Sequence, residues 1–118
     1  MFLQLNHQKL EVYKSTKEFV NECYKLTRVL PAEERYNLVS QIRRAALSVH
    51  LNLAEGASRR SLTERKRYYE ISRGSIIEID TALGIIFDLN YCTNEQLQPV
   101  GNSLLRSFKL LSLLSNKS

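Results

Sequence analysis

The sequence predicts an all-α fold, an antiparallel up-down-up-down four-helix bundle that occupies residues 1–118 as a single domain. Only two prolines and four glycines interrupt the 118 residues, and a β-protein would need more turns than these can supply. Apolar residues recur at helical spacing rather than in alternation. Because the linkers between the four apolar segments are short, consecutive helices are expected to pack antiparallel.

The first two predicted helices cover residues 7–29 and 31–56. The first has its apolar residues at helical spacing. The second begins at Pro31, a residue that suits a first helical turn, and two glutamates follow it at the positive end of the helix dipole. Gly56 is interpreted as the glycine that terminates the second helix.

The third and fourth predicted helices cover residues 61–90 and 94–115, and each starts with a capping box, "SLTE" and "TNEQ". In this pattern a hydroxyl and a carboxyl or amide side chain each satisfy a backbone N–H of the first turn. Within the third helix Tyr68 falls on the apolar face, and Tyr69 lies about 100° away from it. The glycine–serine pair at Gly74 is interpreted as a point of close packing.

The composition narrows the class of protein. A chain of 118 residues buries about two-thirds of its unfolded surface, and 43% hydrophobic with 25% charged residues is typical of a globular domain. No apolar run approaches the roughly 20 residues of a membrane-spanning helix, and the start "MFLQLNHQKL" does not resemble a signal peptide. Cys23 and Cys92 show no pairing or metal-binding motif, so we expect reduced thiols in the cytoplasm.

The net charge of +5 is concentrated in one stretch. Residues 58–73, "SRRSLTERKRYYEISR", contain six cations and two anions, whereas residues 74–118 carry a net charge of −1. Cations beside aromatic residues suit single-stranded or looped RNA, because guanidinium groups bind phosphates while rings stack on unpaired bases. The predicted nucleic-acid-binding residues are Arg59, Arg60, Arg65, Lys66, Arg67, Tyr69 and Arg73.

An alternative interpretation of this stretch is a solvated helix end whose charges pair locally. Lys66 lies four residues before Glu70, and Glu70 lies three before Arg73, as in ion pairs on a helix. Arg59 and Arg60 are the two cations that we expect to be least engaged in such pairs. Both interpretations, a polyanion-binding surface and a solvated face, are consistent with the sequence.

The second helix carries apolar residues on both sides of a polar stripe. At about 100° per residue, the stripe comprises Gln41, Arg44, Ser48, Asn52 and Glu55. The expected core face beside it comprises Leu38, Val39, Ile42, Ala45, Ala46, Val49 and Leu53. Leu47 and Leu51 lie beyond these, on a side that a lone bundle would expose.

Two interpretations of these leucines remain open. They are either scattered surface residues, which are common, or the contact with a neighbouring subunit of a homo-oligomer. In the second case Arg44 would be buried and would need a carboxylate partner, which Glu55 or Glu78 would supply. The predicted interface or packing network comprises Gln41, Arg44, Leu47, Leu51, Asn52, Glu55 and Glu78.

The sequence offers no support for catalysis. His7 and His50 share no metal-ligand spacing with a carboxylate, and the Glu-x-x-His pairs of di-iron bundles do not occur. Glu78 and Asp80 point in different directions on a helix and cannot form a carboxylate dyad. The sequence has no glycine-rich phosphate loop or nucleophile elbow, so we expect a non-enzymatic protein without a metal or cofactor.

The motif "QIRRAALSVHLNLAEG" resembles that of the four-helix bundle proteins encoded by intervening sequences in bacterial 23S rRNA genes, a ribosomal-protein-like family. A second block, "YYEISRGSIIEIDTAL", resembles the same family, and the two blocks span about residues 31–91. The chain departs from the family pattern at His50, where many relatives have proline, and at Asp80, where glutamate is more common.

This resemblance implies a homo-oligomer, typically a five-fold ring, with no cofactor and no known catalytic activity. The architecture is also similar to that of accessory proteins of diversity-generating retroelements, basic pentamers that bind nucleic acid and a reverse transcriptase. Two functions are therefore expected as alternatives. One is an RNA-binding assembly that uses the cationic region between the second and third helices, and the other is a scaffold that recruits a partner protein.

Overall fold

The computed structural model describes residues 1–117, and the side chains of residues 1–116, and contains no strand in that range. Each of its four α-helices packs against two others, α2 against α1 and α3, and α4 against α1 and α3. In this part of the chain no helix has the length and apolarity needed to cross a membrane. The predicted all-α fold with four helices is confirmed. The helices are α1 (Glu11–Thr27), α2 (Ser40–Ala57), α3 (Leu62–Asp88) and α4 (Asn94–Lys117).

The segments before α1 and α2 are helical but not α-helical. Asn6–Lys9 form a 3₁₀ turn, and the extended backbone of Leu10 (φ −67°, ψ 143°) separates it from α1. Before α2, the 3₁₀ turn Ala32–Glu34 continues into a π-helix, Arg35–Val39. α1 therefore begins four residues later than predicted, and α2 begins nine residues later than predicted.

Glu34 fixes the turn that precedes α2. Its carboxylate accepts the backbone N–H of Leu38 at 3.5 Å and the side-chain amide of Asn37 at 3.2 Å. The hydroxyl of Tyr91, which lies between α3 and α4, donates to the same carboxylate at 2.9 Å. A side chain thus satisfies a backbone donor of this first turn, as the orphan N–H groups of a helix start require.

The predicted capping box is complete at α4, whereas at α3 only one of its two bonds forms among the described residues, since Glu64 does not accept the Ser61 N–H. The Ser61 hydroxyl accepts the N–H of Glu64 at 3.4 Å. At α4 both bonds of the capping box form, since the side chains of Thr93 and Gln96 each accept the other residue's backbone N–H, at 3.2 and 2.8 Å. α3 ends where Asn90 adopts a left-handed backbone (φ 61°), a conformation that asparagine tolerates at helix ends.

Gly56 does not terminate α2, so its interpretation as a terminal glycine is wrong. The helix continues to Ala57, and no glycine has a positive φ. A Cβ added to Gly56 would lie 2.9 Å from the Cβ of Tyr68 and 2.9 Å from the Cε1 of Tyr69. The residue is therefore a glycine because α2 and α3 approach each other too closely there for a side chain.

Replacing Gly56 with alanine is expected to lower the free energy of unfolding by about 1–3 kcal/mol, as overpacking does. The Cβ of Tyr68 moves only with the α3 backbone, so the two helices must separate. Urea denaturation would measure the loss. Gly84→Ala is the control, because a Cβ there meets nothing within 4 Å, and it should be neutral or stabilising by up to about 1 kcal/mol. Equal stability of the two variants would contradict the close approach.

The core confirms the predicted face of α2 and corrects one position on α3. All the predicted core residues of α2 are buried except Val39, which is partly buried. On α3 the buried tyrosine is Tyr69, 6% exposed, and Tyr68 is half-buried. The assignment of Tyr68 to the core face was wrong, because Tyr69 is the tyrosine in register with the buried α3 residues Ser72, Ile76, Ile79, Leu83 and Ile86.

His50 is a packed histidine between α1 and α2. Its Nδ1 lies 2.8 Å from the hydroxyl of Thr16, and its ring centroid lies 4.5 Å from that of Tyr13. Burial lowers the pKa of His50 below its usual 6.5, and the positive charges of Lys17 and His7 lower it further. The neutral imidazole is the form that this packing favours.

Stability is expected to fall on acidification because of His50. In the unfolded chain its pKa is the ordinary 6.5, so below that pH the unfolded state binds more protons than the folded state and is favoured. We expect the free energy of unfolding to decrease as the pH drops through and below this value. Thermal unfolding of the wild type and of His50→Gln, from about pH 8 to pH 5, would measure it. A variant with the same pH dependence as the wild type would contradict this assignment.

Candidate nucleic-acid interface

Arg59 braces the turn that connects α2 to α3. Its Nη2 donates to the carboxylate of Glu55 at 2.8 Å and to the Tyr68 hydroxyl at 3.2 Å. Its guanidinium also lies 5.1 Å from the centre of the Tyr68 ring, within the range of a cation–π contact. The Nε of Arg65 donates to the backbone oxygen of Arg59 at 2.6 Å. Two of the predicted phosphate-binding arginines therefore hold the turn together.

The expectation that Arg59 stays out of local ion pairs is wrong. Glu55 lies one helical turn before Arg59, and because the helical backbone continues through Ser58, the two side chains meet on the same face. The local pairs proposed for Glu70, with Lys66 and with Arg73, do not form within residues 1–116.

Arg73 is half-buried and packs against α4. Its Nε donates to the hydroxyl of Ser112 at 2.9 Å, and its guanidinium lies 4.7 Å from the centre of the Phe108 ring. The exposed cations of the predicted set are Arg60, Lys66 and Arg67. None of these three is in an ion pair with a described residue. We call them the exposed basic triad.

The prediction that Tyr69 stacks on nucleic-acid bases is wrong. Its ring is 6% exposed and belongs to the core, and burial raises the pKa of its hydroxyl. Tyr36 is 88% exposed, but it lies in the π-helix before α2, whereas the exposed cations of the predicted set follow the end of α2.

The polar stripe of α2 lies beside α3. The Ser75 hydroxyl donates to the hydroxyl of Ser48 at 2.9 Å, and the amide of Asn52 donates to the hydroxyl and backbone oxygen of the same serine at 3.0 and 2.9 Å. These contacts join the "SVHLN" motif of α2 to the Gly-Ser pair of α3. The stripe therefore serves, in part, to pack the two helices.

Arg44 and the two leucines are on the outer side of α2. Leu47 is 42% and Leu51 59% exposed. Arg44 is exposed as well, and it donates to the side chain of Gln41 at 3.4 Å. The predicted carboxylate partner of Arg44 is not found within the described chain, where Glu55 binds Arg59 and Glu78 is exposed.

Gly74 lies on the neighbouring outer side of α3 and is exposed. A Cβ added there would meet nothing within 4 Å, so the prediction of close packing at Gly74 is wrong within one chain. A glycine in the interior of a helix lowers the free energy of unfolding by about 0.5–1 kcal/mol relative to alanine. We call the side formed by Arg44, Leu47, Leu51, Gly74 and Glu78 the outer α2–α3 face.

The remaining reactive side chains are placed for packing. Cys23 and Cys92 are free and buried, and burial raises the pKa of the Cys23 thiol to about 12. The thiolate, which is the nucleophilic form, is therefore scarce at neutral pH. Among the described residues no group of three histidine, cysteine, aspartate or glutamate side chains is placed to hold a metal ion.

Comparison with known proteins identifies one family. The family model of the 23S rRNA-intervening sequence protein matches residues 8–112, which include the exposed basic triad and the outer α2–α3 face. A search of the curated proteins finds no match.

Proposed function

Because the chain belongs to the 23S rRNA-intervening sequence protein family, we propose that it is a non-enzymatic basic protein that binds structured RNA associated with the ribosome. The observation that carries this proposal is the exposed basic triad of Arg60, Lys66 and Arg67 beside a turn that Arg59 fixes. Arg60 lies in that turn, and Lys66 and Arg67 lie near the start of α3, so the backbone that carries these cations is already ordered before binding. They would contact phosphates without reading the base sequence.

An antiparallel up-down-up-down order of the helices is part of this proposal. Its support comes from three contacts between α2 and α3 and the segments that flank them. Just before α2, the Glu34 carboxylate accepts a hydrogen bond from the hydroxyl of Tyr91, which lies just after α3. Midway along both helices, the Ser75 hydroxyl donates to that of Ser48. At the end of α2, Gly56 lies against Tyr68, near the start of α3. In this order the exposed basic triad lies at the same end of the bundle as the start of α1.

We also propose that copies of the chain assemble through the outer α2–α3 face, in a ring for which five subunits is the expected number. The support is that Leu47 and Leu51 are both exposed one helical turn apart on the same face of α2, with the exposed Arg44 beside them. Gly74 would let another helix approach closely there. A ring would bring several exposed basic triads together and so increase the affinity for RNA.

Cytoplasmic location belongs to the same proposal. Cys23 and Cys92 are both free thiols. Free thiols persist where glutathione and thioredoxin keep them reduced, which is the condition in the cytoplasm.

RNA titration at two salt concentrations tests the proposed binding. Three phosphate contacts predict a slope of log affinity against log salt of roughly −2 to −3 per subunit, at about −0.7 to −0.9 per contact. Fluorescence anisotropy with a labelled, structured rRNA fragment would measure it. Equal affinity at low and high salt would contradict binding by phosphate contacts.

A scaffold that recruits a partner protein is the second candidate function. A groove of about 340 Å³ between the start of α2 and the end of α3 favours it, with Glu34 and Glu78 as acidic groups and Ile85 and Leu89 as apolar ones. Pull-down from nuclease-treated lysate with the wild type and with Ile85→Lys would separate the functions. A partner that is retained by the wild type and lost by the variant favours the scaffold, and loss of all partners on nuclease treatment favours RNA.

A further inference from the structure

A polar groove lies between α3 and α4, and membership of the family assigns no role to it. Its volume is about 190 Å³. A cavity needs about 10–15 Å³ to hold one water, so this groove has room for several waters or for a group of similar size. Its lining residues are Lys66, Glu70, Arg73, Ser112, Ser115 and Asn116.

Ser115 is the feature of this groove that points to a ligand. The residue is only 7% exposed, and its hydroxyl oxygen is buried without a hydrogen-bond partner among the described residues. Buried polar atoms are almost always paired, because an unpaired one costs about 1–3 kcal/mol. Rotation of the Ser115 side chain would bring this oxygen to the groove, where a group that enters from outside would supply the missing partner.

The two cations of the groove are only partly engaged. Arg73 uses its Nε for Ser112, and its two terminal nitrogens are in no hydrogen bond with residues 1–116. Lys66 is exposed and forms no ion pair with Glu70 or with another described acid. The groove therefore has two positive charges and one negative charge, and its free donors outnumber its acceptors.

We propose that this groove binds a phosphate group, with Lys66 and Arg73 as its charge partners and the Ser115 hydroxyl and Asn116 amide as neutral donors. An arginine fork, an ammonium group and hydroxyl donors are the chemistry that tetrahedral oxyanions require. The phosphate comes either from RNA, which rests on the function proposed above, or from free phosphate. Glu70 opposes binding and limits the affinity.

Inorganic phosphate is the first probe, because it tests the groove without RNA. Phosphate should stabilise the wild type in thermal unfolding more than sodium chloride at the same ionic strength. Ser115→Ala should fold normally, since it removes an unpaired hydroxyl, and should bind phosphate roughly tenfold more weakly. Ser103→Ala is the matched control on α4, because its hydroxyl is also buried and unpaired but lies outside this groove.

Glu70→Gln supplies a change of opposite sign, since removing the negative charge should tighten phosphate binding. Weaker binding by Ser115→Ala with tighter binding by Glu70→Gln supports the inference. Equal phosphate binding by Ser115→Ala and the wild type, or stabilisation by phosphate no greater than by chloride, overturns it.

RNA binding by the same variants separates the two sources of phosphate. If RNA supplies the group, inorganic phosphate competes with RNA, and Ser115→Ala lowers RNA affinity while Ser103→Ala does not. If free phosphate is the ligand, Ser115→Ala lowers phosphate binding alone. A wild type that binds phosphate but no RNA would contradict the proposed function and leave this inference standing.

Discussion

Changing Arg60, Lys66 and Arg67 together to glutamate is expected to lower RNA affinity by about a hundredfold or more at physiological salt. Each of these cations is exposed and outside any ion pair in the described chain. Hydrogen bonds to charged groups contribute about 1.5–3 kcal/mol each, and about 1.4 kcal/mol corresponds to a factor of ten. Reversing the charges adds repulsion from the phosphates to these losses.

The control for this prediction changes Lys25, Arg28 and Arg35 to glutamate. These residues are also exposed and the change in net charge is the same, but they belong to the end of α1 and the connection to α2. Anisotropy titrations of both triple variants, with circular dichroism to verify folding, would compare them. Equal losses would show that RNA responds to net charge alone, and the exposed basic triad would then have no special role.

Changing Leu47 and Leu51 together to glutamate is expected to dissociate the proposed assembly. Burial of a leucine contributes about 1.5–3 kcal/mol, so each subunit interface would lose several kcal/mol and gain unpaired charges. The folded single chain should keep its stability, because exposed side chains tolerate substitution within about 0.5 kcal/mol. Light scattering coupled to size-exclusion chromatography would follow the mass, and urea denaturation of the variant would verify its fold.

Leu105→Glu is the matched control for the assembly prediction. Leu105 is 68% exposed, more than Leu47 or Leu51, and it lies on α4, which does not contribute to the outer α2–α3 face. Its variant should keep the wild-type mass. If the Leu105 variant dissociates and the Leu47 and Leu51 variant does not, the interface lies on α4 rather than on α2.

The helices and their caps were predictable because their causes are local. The bonds of Ser61 with Glu64, and of Thr93 with Gln96, join residues three positions apart. The core face of α2 follows from helical spacing in the same way. These features need no knowledge of which helices are neighbours.

Features that depend on contacts between helices were not predictable. The choice between Tyr68 and Tyr69 for the core depends on which side of α3 faces the other helices, because adjacent helical residues point about 100° apart. The absence of a side chain at Gly56 reflects the distance to α3 rather than a helix end. The unpaired hydroxyl of Ser115 has no local signal, because the sequence does not show which groups surround it.

Arg59 illustrates why charge alone does not show which cations are engaged within the chain. It belongs to the most basic stretch of the chain, yet its guanidinium binds Glu55 and Tyr68. Arg59→Ala should therefore weaken RNA binding through loss of the turn rather than through loss of a phosphate contact. The exposed basic triad keeps its charges but loses its fixed position in that variant.

The mass of the wild-type protein in solution tests most directly whether copies of this chain cover the outer α2–α3 face. Light scattering at micromolar concentration should give a multiple of the 13.7 kDa of one chain, and a five-subunit ring predicts five times that value. A mass of one chain at the same concentration would contradict the account, since Leu47 and Leu51 would then remain open to solvent.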